Sequence, residues 1–146
     1  MNLNEILDEW KNDCILSNKL DEESKKTPTL HAKYLSYLSI AKLNLLRAEN
    51  AQKILLRDKF LYYNGKLDQD SIEKNGWKYD PFDGLKILKG DMDYYYESDT
   101  EIQQSEEKIQ YYKNMIDVLK EIVDTLKWRH QNIRNIIEWR KFEAGN

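Results

Sequence analysis

Between Leu55 and Lys66 the chain reads LLRDKFLYYNGK, a run that interleaves cationic side chains with aromatic rings. Arg57, Lys59 and Lys66 are suited to neutralising phosphates, and Phe60, Tyr62 and Tyr63 offer flat faces on which unpaired bases stack. The chemistry predicted is non-covalent capture of a single strand of DNA or RNA. Asp58 opposes it, because an acid between two cations weakens the local field. Other chemistry finds little support. His31 and His130 are far apart, with no cysteine or acid at metal-ligand spacing, and His130 falls on an apolar seam where a packed histidine is expected. There is no phosphate-cradling glycine loop and no serine or cysteine elbow beside a base. Asp91, Asp93, Asp99 and Glu101 lack the calcium-loop pattern and read as a solvated acidic loop. No catalytic constellation emerges, so the expectation is a protein that is not an enzyme and needs neither metal nor cofactor.

The formal net charge of −3 and pI near 5.5 conceal a segregation of charge. Residues 1–26 balance at −3, 27–66 at +5, 67–107 at −8, 108–126 at zero and 127–141 at +4. Two basic blocks on an acidic chain are an anion-binding footprint that the mean pI hides. The acidic block 67–107 reads first as a solvated loop and second as a surface for basic partners or a DNA mimic.

The elements that must carry these residues are helical. At 146 residues the chain suits one compact unit, and 34% charged residues with mean hydropathy −0.84 fit long helices that stay wet over much of their circumference. Cys14 is the only cysteine, which excludes an intrachain disulfide and fits a reducing compartment. The acidic, amphipathic start MNLNEILDEW does not resemble a signal peptide, and no stretch approaches a membrane span. Helical spacing runs from Asn4 to about Lys25, with Asn2 or Asn4 as cap. Thr27 and Pro28 predict a fresh start, and the next helix runs about 55 Å to a stop at Asn64-Gly65. Gly76, Pro81, Gly84 and Gly90 punctuate an aromatic loop region in which Leu85–Lys89 and Asp93–Glu97 are expected to pair as a small β-hairpin. A last helix is expected from about Asp99 to Phe142.

Two coiled-coil-like seams follow. The first passes through Tyr34, Leu38, Ala41, Leu45, Ala48, Gln52, Leu55, Lys59 and Tyr62, and its last third is polar, so either the partner helix diverges there or the seam opens onto a wet groove. On the opposite face Lys42, Lys53, Arg57, Phe60 and Asn64 share a narrow arc. The second seam passes through Ile102, Ser105, Ile109, Tyr112, Ile116, Leu119, Val123, Leu126, His130, Ile133 and Ile137, widened by Met115, Ile122 and Ile136. Its width predicts an oligomerisation surface, and identical sticky stripes are most simply satisfied by closing a ring. The chain thus divides into an N-terminal helical binding region, 1–66, an acidic aromatic insert, 67–100, and a C-terminal oligomerisation helix, 101–146.

The sequence AENAQK at 48–53, LLRDKFLYYNG at 55–65 and the closing KFEAG at 141–145 resemble the UvsY recombination mediator family of large tailed phages. The family pattern is a leucine, a basic residue, a spacer, a second basic residue, paired tyrosines and a glycine, met here by Leu56, Arg57, Asp58, Lys59, Tyr62, Tyr63 and Gly65. Asp58 stands where the family has a small apolar spacer, and Leu61 replaces an acid. The resemblance implies a mediator that binds single-stranded DNA as a homo-oligomer, a ring of about six or seven subunits. It also implies two protein partners in an infected bacterial cell, a phage RecA-type recombinase and the phage single-strand DNA-binding protein that coats the strand. Against this stand a coiled-coil scaffold without nucleic acid, and a single-strand DNA- or RNA-binding protein that needs no recombinase.

Overall fold

The computed structural model describes residues 1–145, and among them every regular element is a helix. They are α1 (Leu3–Asp13), α2 (Leu20–Tyr63), α3 (Gln69–Asn75), a 3₁₀ turn at Lys89–Asp91, α4 (Met92–Ser98), α5 (Thr100–Lys127) and α6 (Arg129–Glu143). None is long and apolar enough to cross a membrane. The chain folds as two compact units: Met1–Leu43 with the chain from Tyr112 onward, and Asn44–Tyr111. This division cuts across the three segments expected from the sequence, because α2 and α5 each contribute to both units.

In the first unit, Asn2 starts α1 through a capping box: its side chain accepts from the Glu5 backbone N–H at 2.8 Å while its own N–H donates to the Glu5 carboxylate at 3.1 Å. The expected run to Lys25 stops at Asp13, and the boundary expected at Pro28 is absent. Instead α2 begins at Leu20, where Asp21, Glu22 and Glu23 place three carboxylates on the positive end of the helix. Pro28 lies inside α2. The donor it lacks leaves the Ser24 carbonyl without its helical partner, in a turn clamped from outside. The Arg129 guanidinium donates to the Glu23 carboxylate at 2.6 Å, to the Thr27 hydroxyl at 2.7 Å and to the Glu23 carbonyl. The Arg129 and Glu23 side chains are only 6% and 4% exposed.

Around this pair lies an apolar core of Ile6, Tyr34, Leu38 and Ala41 with Met115, Ile116, Leu119, Ile122, Val123, Leu126 and Ile133. Burying each of the larger side chains contributes about 1.5–3 kcal/mol. Asp13 accepts from Lys33 at 2.7 Å and from the Tyr34 hydroxyl at 2.8 Å, and Trp10 meets the Tyr34 ring edge-on at 5.5 Å. The single C-terminal helix expected from the seam is broken at Trp128, where i→i+3 bonds replace the α-helical pattern at Trp128 N–H to Thr125 and Gln131 N–H to Trp128. That tightening rotates the phase, so Arg129 turns inward and His130 is exposed, where the seam alone put His130 inside.

In the second unit the Asn64-Gly65 stop is a Schellman motif. The Lys66 N–H reaches the Leu61 carbonyl at 2.8 Å and the Gly65 N–H the Tyr62 carbonyl at 3.1 Å, with Gly65 at φ +68° where a side chain would be strained. The expected hairpin does not form. Lys89–Asp91 is a 3₁₀ turn and 93–97 lie within α4, because a helix lets Tyr95 meet Phe82 and Tyr96 meet Tyr63 while Tyr94 stays 70% exposed. The polar third of the first seam neither diverges nor opens. Gln52 donates to Ser105 of α5 at 3.1 Å, so polar seam positions meet polar seam positions.

Arg129→Ala removes the buried partner of Glu23, leaving it only the more exposed Lys26 at 3.1 Å, and is expected to cost about 3 kcal/mol in urea unfolding. Replacing both residues together, as Glu23→Leu with Arg129→Met, should cost less than the single change.

Candidate nucleic-acid interface

The second half of α2 presents two faces of opposite exposure. Its inner face carries Lys59 and Tyr62, both expected from the sequence to capture a strand. The Lys59 side chain is 5% exposed, its ammonium 2.9 Å from Asp99, 3.5 Å from Glu101 and 4.0 Å above the Trp77 ring centre. Tyr62 is buried and donates its hydroxyl to the Lys78 carbonyl at 2.5 Å. The half-buried Tyr63 donates to Asp99 at 2.6 Å, and burial followed by that bond pushes its phenol well above its ordinary range. Its ring touches Phe82 and Tyr96, and Phe82 in turn holds Tyr95, so the aromatic insert wraps the tyrosine pair instead of leaving it open to bases. In this conformation Lys59, Tyr62 and Tyr63 are paired within the unit and brace the helix from its inner side.

Asp99 joins these contacts. One carboxylate oxygen caps α5 through the Ile102 N–H at 3.0 Å, and the other receives Lys59 and Tyr63. Burial alone would raise its pKa, but the Tyr63 and Ile102 bonds and the Lys59 charge together hold it below the ordinary value. Glu101 completes the cluster by accepting from the Trp77 indole N–H at 2.6 Å. Sequence alone reads Asp99 and Glu101 as part of a solvated loop and does not single out Trp77 as a partner of Lys59. No local signal marks these pairs, since Asp99 lies 36 residues from Tyr63 and Glu101 lies 24 from Trp77.

The outer face carries Lys53, Arg57 and Phe60, all exposed, within an arc of about 60° that also holds Leu46 and Asn64. Phe60 is 51% exposed and the Arg57 side chain 66%. Arg57 is not wholly free: its guanidinium makes two bonds of 3.2 Å to Asp58. Lys66, exposed just past the Gly65 turn, adds a cation at the helix end. Lys42 is exposed in the first unit. Leu46 and Ile54, 52% and 54% exposed, are aliphatic neighbours of this face that the cation pattern overlooks. Their signal is their position off the apolar seam.

Of the twelve positions expected to mediate oligomerisation, Ile102, Ile109, Met115, Ile116, Leu119, Ile122, Val123, Leu126 and Ile133 are buried within the protomer's own units. Tyr112 and Ile136 are half-buried, and Ile137 is 39% exposed. Most of that stripe therefore serves the intrachain core. Among the described residues no group of histidine, cysteine and carboxylate side chains could hold a metal ion.

These features define an all-helical protein that presents cations and a ring on one exposed helix face, stiffened from behind by a buried ion pair. The family description "Recombination, repair and ssDNA binding protein UvsY" matches residues 9–146, and the chain belongs to the UvsY family. It is 27% identical to the recombination protein uvsY of Enterobacteria phage T4, over 99% of both chains. A crystal structure of the Bacteriophage T4 recombination mediator protein UvsY (lattice type II) matches with TM-score 0.78 and 27% identity, covering 99% of this chain and 98% of that one. Another, in lattice type I, matches with TM-score 0.77 and 26% identity over 95% and 98%. The match runs through the insert, beyond the segments that carry the resemblance in sequence.

Asp99→Asn should lower stability at neutral pH by about 3 kcal/mol, because Lys59 loses its nearest buried counter-charge. Since the native pKa is depressed, this contribution is present above the ordinary aspartate value of 3.8 and lost as pH falls through the lower native value. Urea midpoints of the two proteins should therefore converge below that pH.

Proposed function

We propose that the chain is a recombination mediator that binds single-stranded DNA through the outer face of α2 and helps a phage RecA-type recombinase load onto a strand coated by the phage single-strand DNA-binding protein. Membership of the UvsY family supports the class of function. The observation that carries the site is the division of α2: Lys53, Arg57 and Phe60 are exposed on one face, while Lys59, Tyr62 and Tyr63 are held on the other. Cations neutralise phosphates and release counterions, and the Phe60 ring stacks on an unpaired base. Lys66 extends the charge past the helix end, and Lys42 is a further cation for the strand.

The working form is a homo-oligomeric ring of about six or seven subunits in the infected bacterial cell, which repeats a weak site and so gains avidity. A strand bent along such a ring departs from the path favoured by its coating protein, which lowers the barrier to recombinase nucleation. Exposed aliphatic side chains at Leu35, Ile40 and Leu43 of α2 support self-association, since they have no partner in the apolar core of a single protomer.

Salt titration of oligothymidylate binding by fluorescence anisotropy tests the site. Lys53→Ala with Arg57→Ala should weaken binding and reduce the slope of log K against log salt by about 1.4, at about 0.7 for each phosphate no longer neutralised. Asp58→Asn should act in the opposite direction by releasing Arg57. An unchanged affinity and slope in the double variant would remove this face from the site.

A further inference from the structure

Past the end of α2, the insert closes a cavity of about 240 Å³ that the outer face of the helix does not use. Its walls are the buried Tyr62 and Ile72 and the half-buried Tyr63 and Phe82, and Tyr79 stands at its mouth, 71% exposed. Among the described residues that line it, Asp80 is the only charged side chain. The Asp80 carboxylate accepts the Phe82 N–H at 3.1 Å on one oxygen and the Gly84 N–H at 2.6 Å on the other. Those bonds fix its direction, while each oxygen keeps a further lone pair for an incoming donor. The Tyr62 and Tyr63 hydroxyls are spent on the Lys78 carbonyl and on Asp99, so neither is left to donate to a guest. The cavity therefore offers a carboxylate and the negative faces of aromatic rings. Such a lining repels phosphate and attracts a cation.

We propose that this cavity receives an arginine side chain from a basic segment of a partner protein. Its volume lies below the about 300–1,000 Å³ of small-molecule pockets, which suits a single side chain. A planar guanidinium stacks on the Tyr79 and Phe82 rings and forks its donors onto the Asp80 carboxylate, whereas an ammonium is a point charge with neither the plane nor the fork. Arginine is therefore preferred over lysine. The rest of the segment meets acidic surface, because residues 67–107 balance at −8 and Asp91, Asp93 and Glu97 are exposed. Leu85 and Leu88, 71% and 75% exposed in the loop after the cavity, offer apolar contact to its neighbouring side chains. A nucleic-acid strand is a poorer occupant, since Asp80 and that acidic surface repel its phosphates. The cavity and the outer face of α2 belong to the same unit, so one unit holds a strand and a basic protein segment on surfaces of opposite charge.

Titration calorimetry of the full chain with hexa-arginine and hexa-lysine peptides, equal in charge, tests this in the absence of DNA. The arginine peptide should bind about fivefold more tightly. Tyr79→Ala should weaken it by about fivefold, Tyr79→Phe should restore it because the ring is kept, and Asp80→Asn should weaken it by about tenfold. Circular dichroism confirms that each variant keeps its helices. Glu106→Gln with Glu107→Gln removes more charge from exposed positions of α5 in the same unit, yet should change the affinity by less than about twofold. Failure of the arginine peptide to bind overturns the proposal. Equal affinity for the two peptides, with the glutamate pair mattering as much as Asp80, reduces the contact to diffuse attraction and also overturns it. So does loss of oligothymidylate binding by Tyr79→Ala while the arginine peptide still binds, which assigns the cavity to a base. A fall in the mass of the chain's assembly when the arginine peptide is added overturns it too, since a second copy is then the occupant. None of these changes touches the outer face of α2, so failure here leaves the strand-binding reading standing.

Discussion

The second unit depends on one carboxylate. Asp99 ends the aromatic insert, caps α5, and receives both the Lys59 ammonium and the Tyr63 hydroxyl from α2. Removing a cation and an anion from water is costly, and their attraction offsets that cost only when the remaining hydrogen-bond sites are filled. Here they are filled by a helix N–H, a phenol, a second carboxylate and the face of Trp77. Because the partners come from α2, the insert and α5, none can shift along α2 without leaving a charge unmatched. The pair therefore fixes the register of α2 against α5 in a stretch where apolar packing alone would tolerate sliding.

The Gln52–Ser105 bond has the same effect two turns earlier, and the two together account for the polar end of the seam. A heptad reading sees Gln52 and Lys59 as defects. Paired with Ser105, Asp99 and Glu101 they become specific pairings, much as a buried polar residue specifies register in a coiled coil. In the first unit the Arg129–Glu23 pair does similar work, joining the start of α6 to the turn of α2 that Pro28 interrupts.

Much of this is legible in the chain. The helical class, the Asn2 cap, the Gly65 stop and the apolar rows of α2 and α5 follow from local rules, because helix signals are written within four residues of one another. The β-hairpin expectation fails because Tyr94–Tyr96 suits either a strand or a helix, and only Phe82 and Tyr63, distant in sequence, decide between them. Pro28 is not a helix start because the acidic turn at Asp21–Glu23 and the Arg129 clamp outweigh the donor it removes. The phase of α6 shifts at Trp128, where i→i+3 bonds bring Arg129 inward and leave His130 and Ile137 exposed while Ile133 stays buried, and no periodicity carried through the break registers that shift.

The candidate site illustrates a further constraint on reading charge. The +5 balance of residues 27–66 treats all cations as equal, yet Lys59 is neutralised inside the unit and Arg57 is shared with Asp58. A buried, paired cation adds almost nothing to the field a phosphate feels outside, while it fixes the helix from which its neighbours project. The paired tyrosines behave likewise: their hydroxyls are bonded to Lys78 and Asp99, so they hold the insert against α2 instead of offering faces to bases. A motif of cations and aromatics can thus be divided between two faces of one helix, half of its residues exposed and half acting from behind. The spacing of Lys53, Arg57 and Phe60 by four and three then gains its meaning, for it puts all three on the face that Lys59 and Tyr62 leave free.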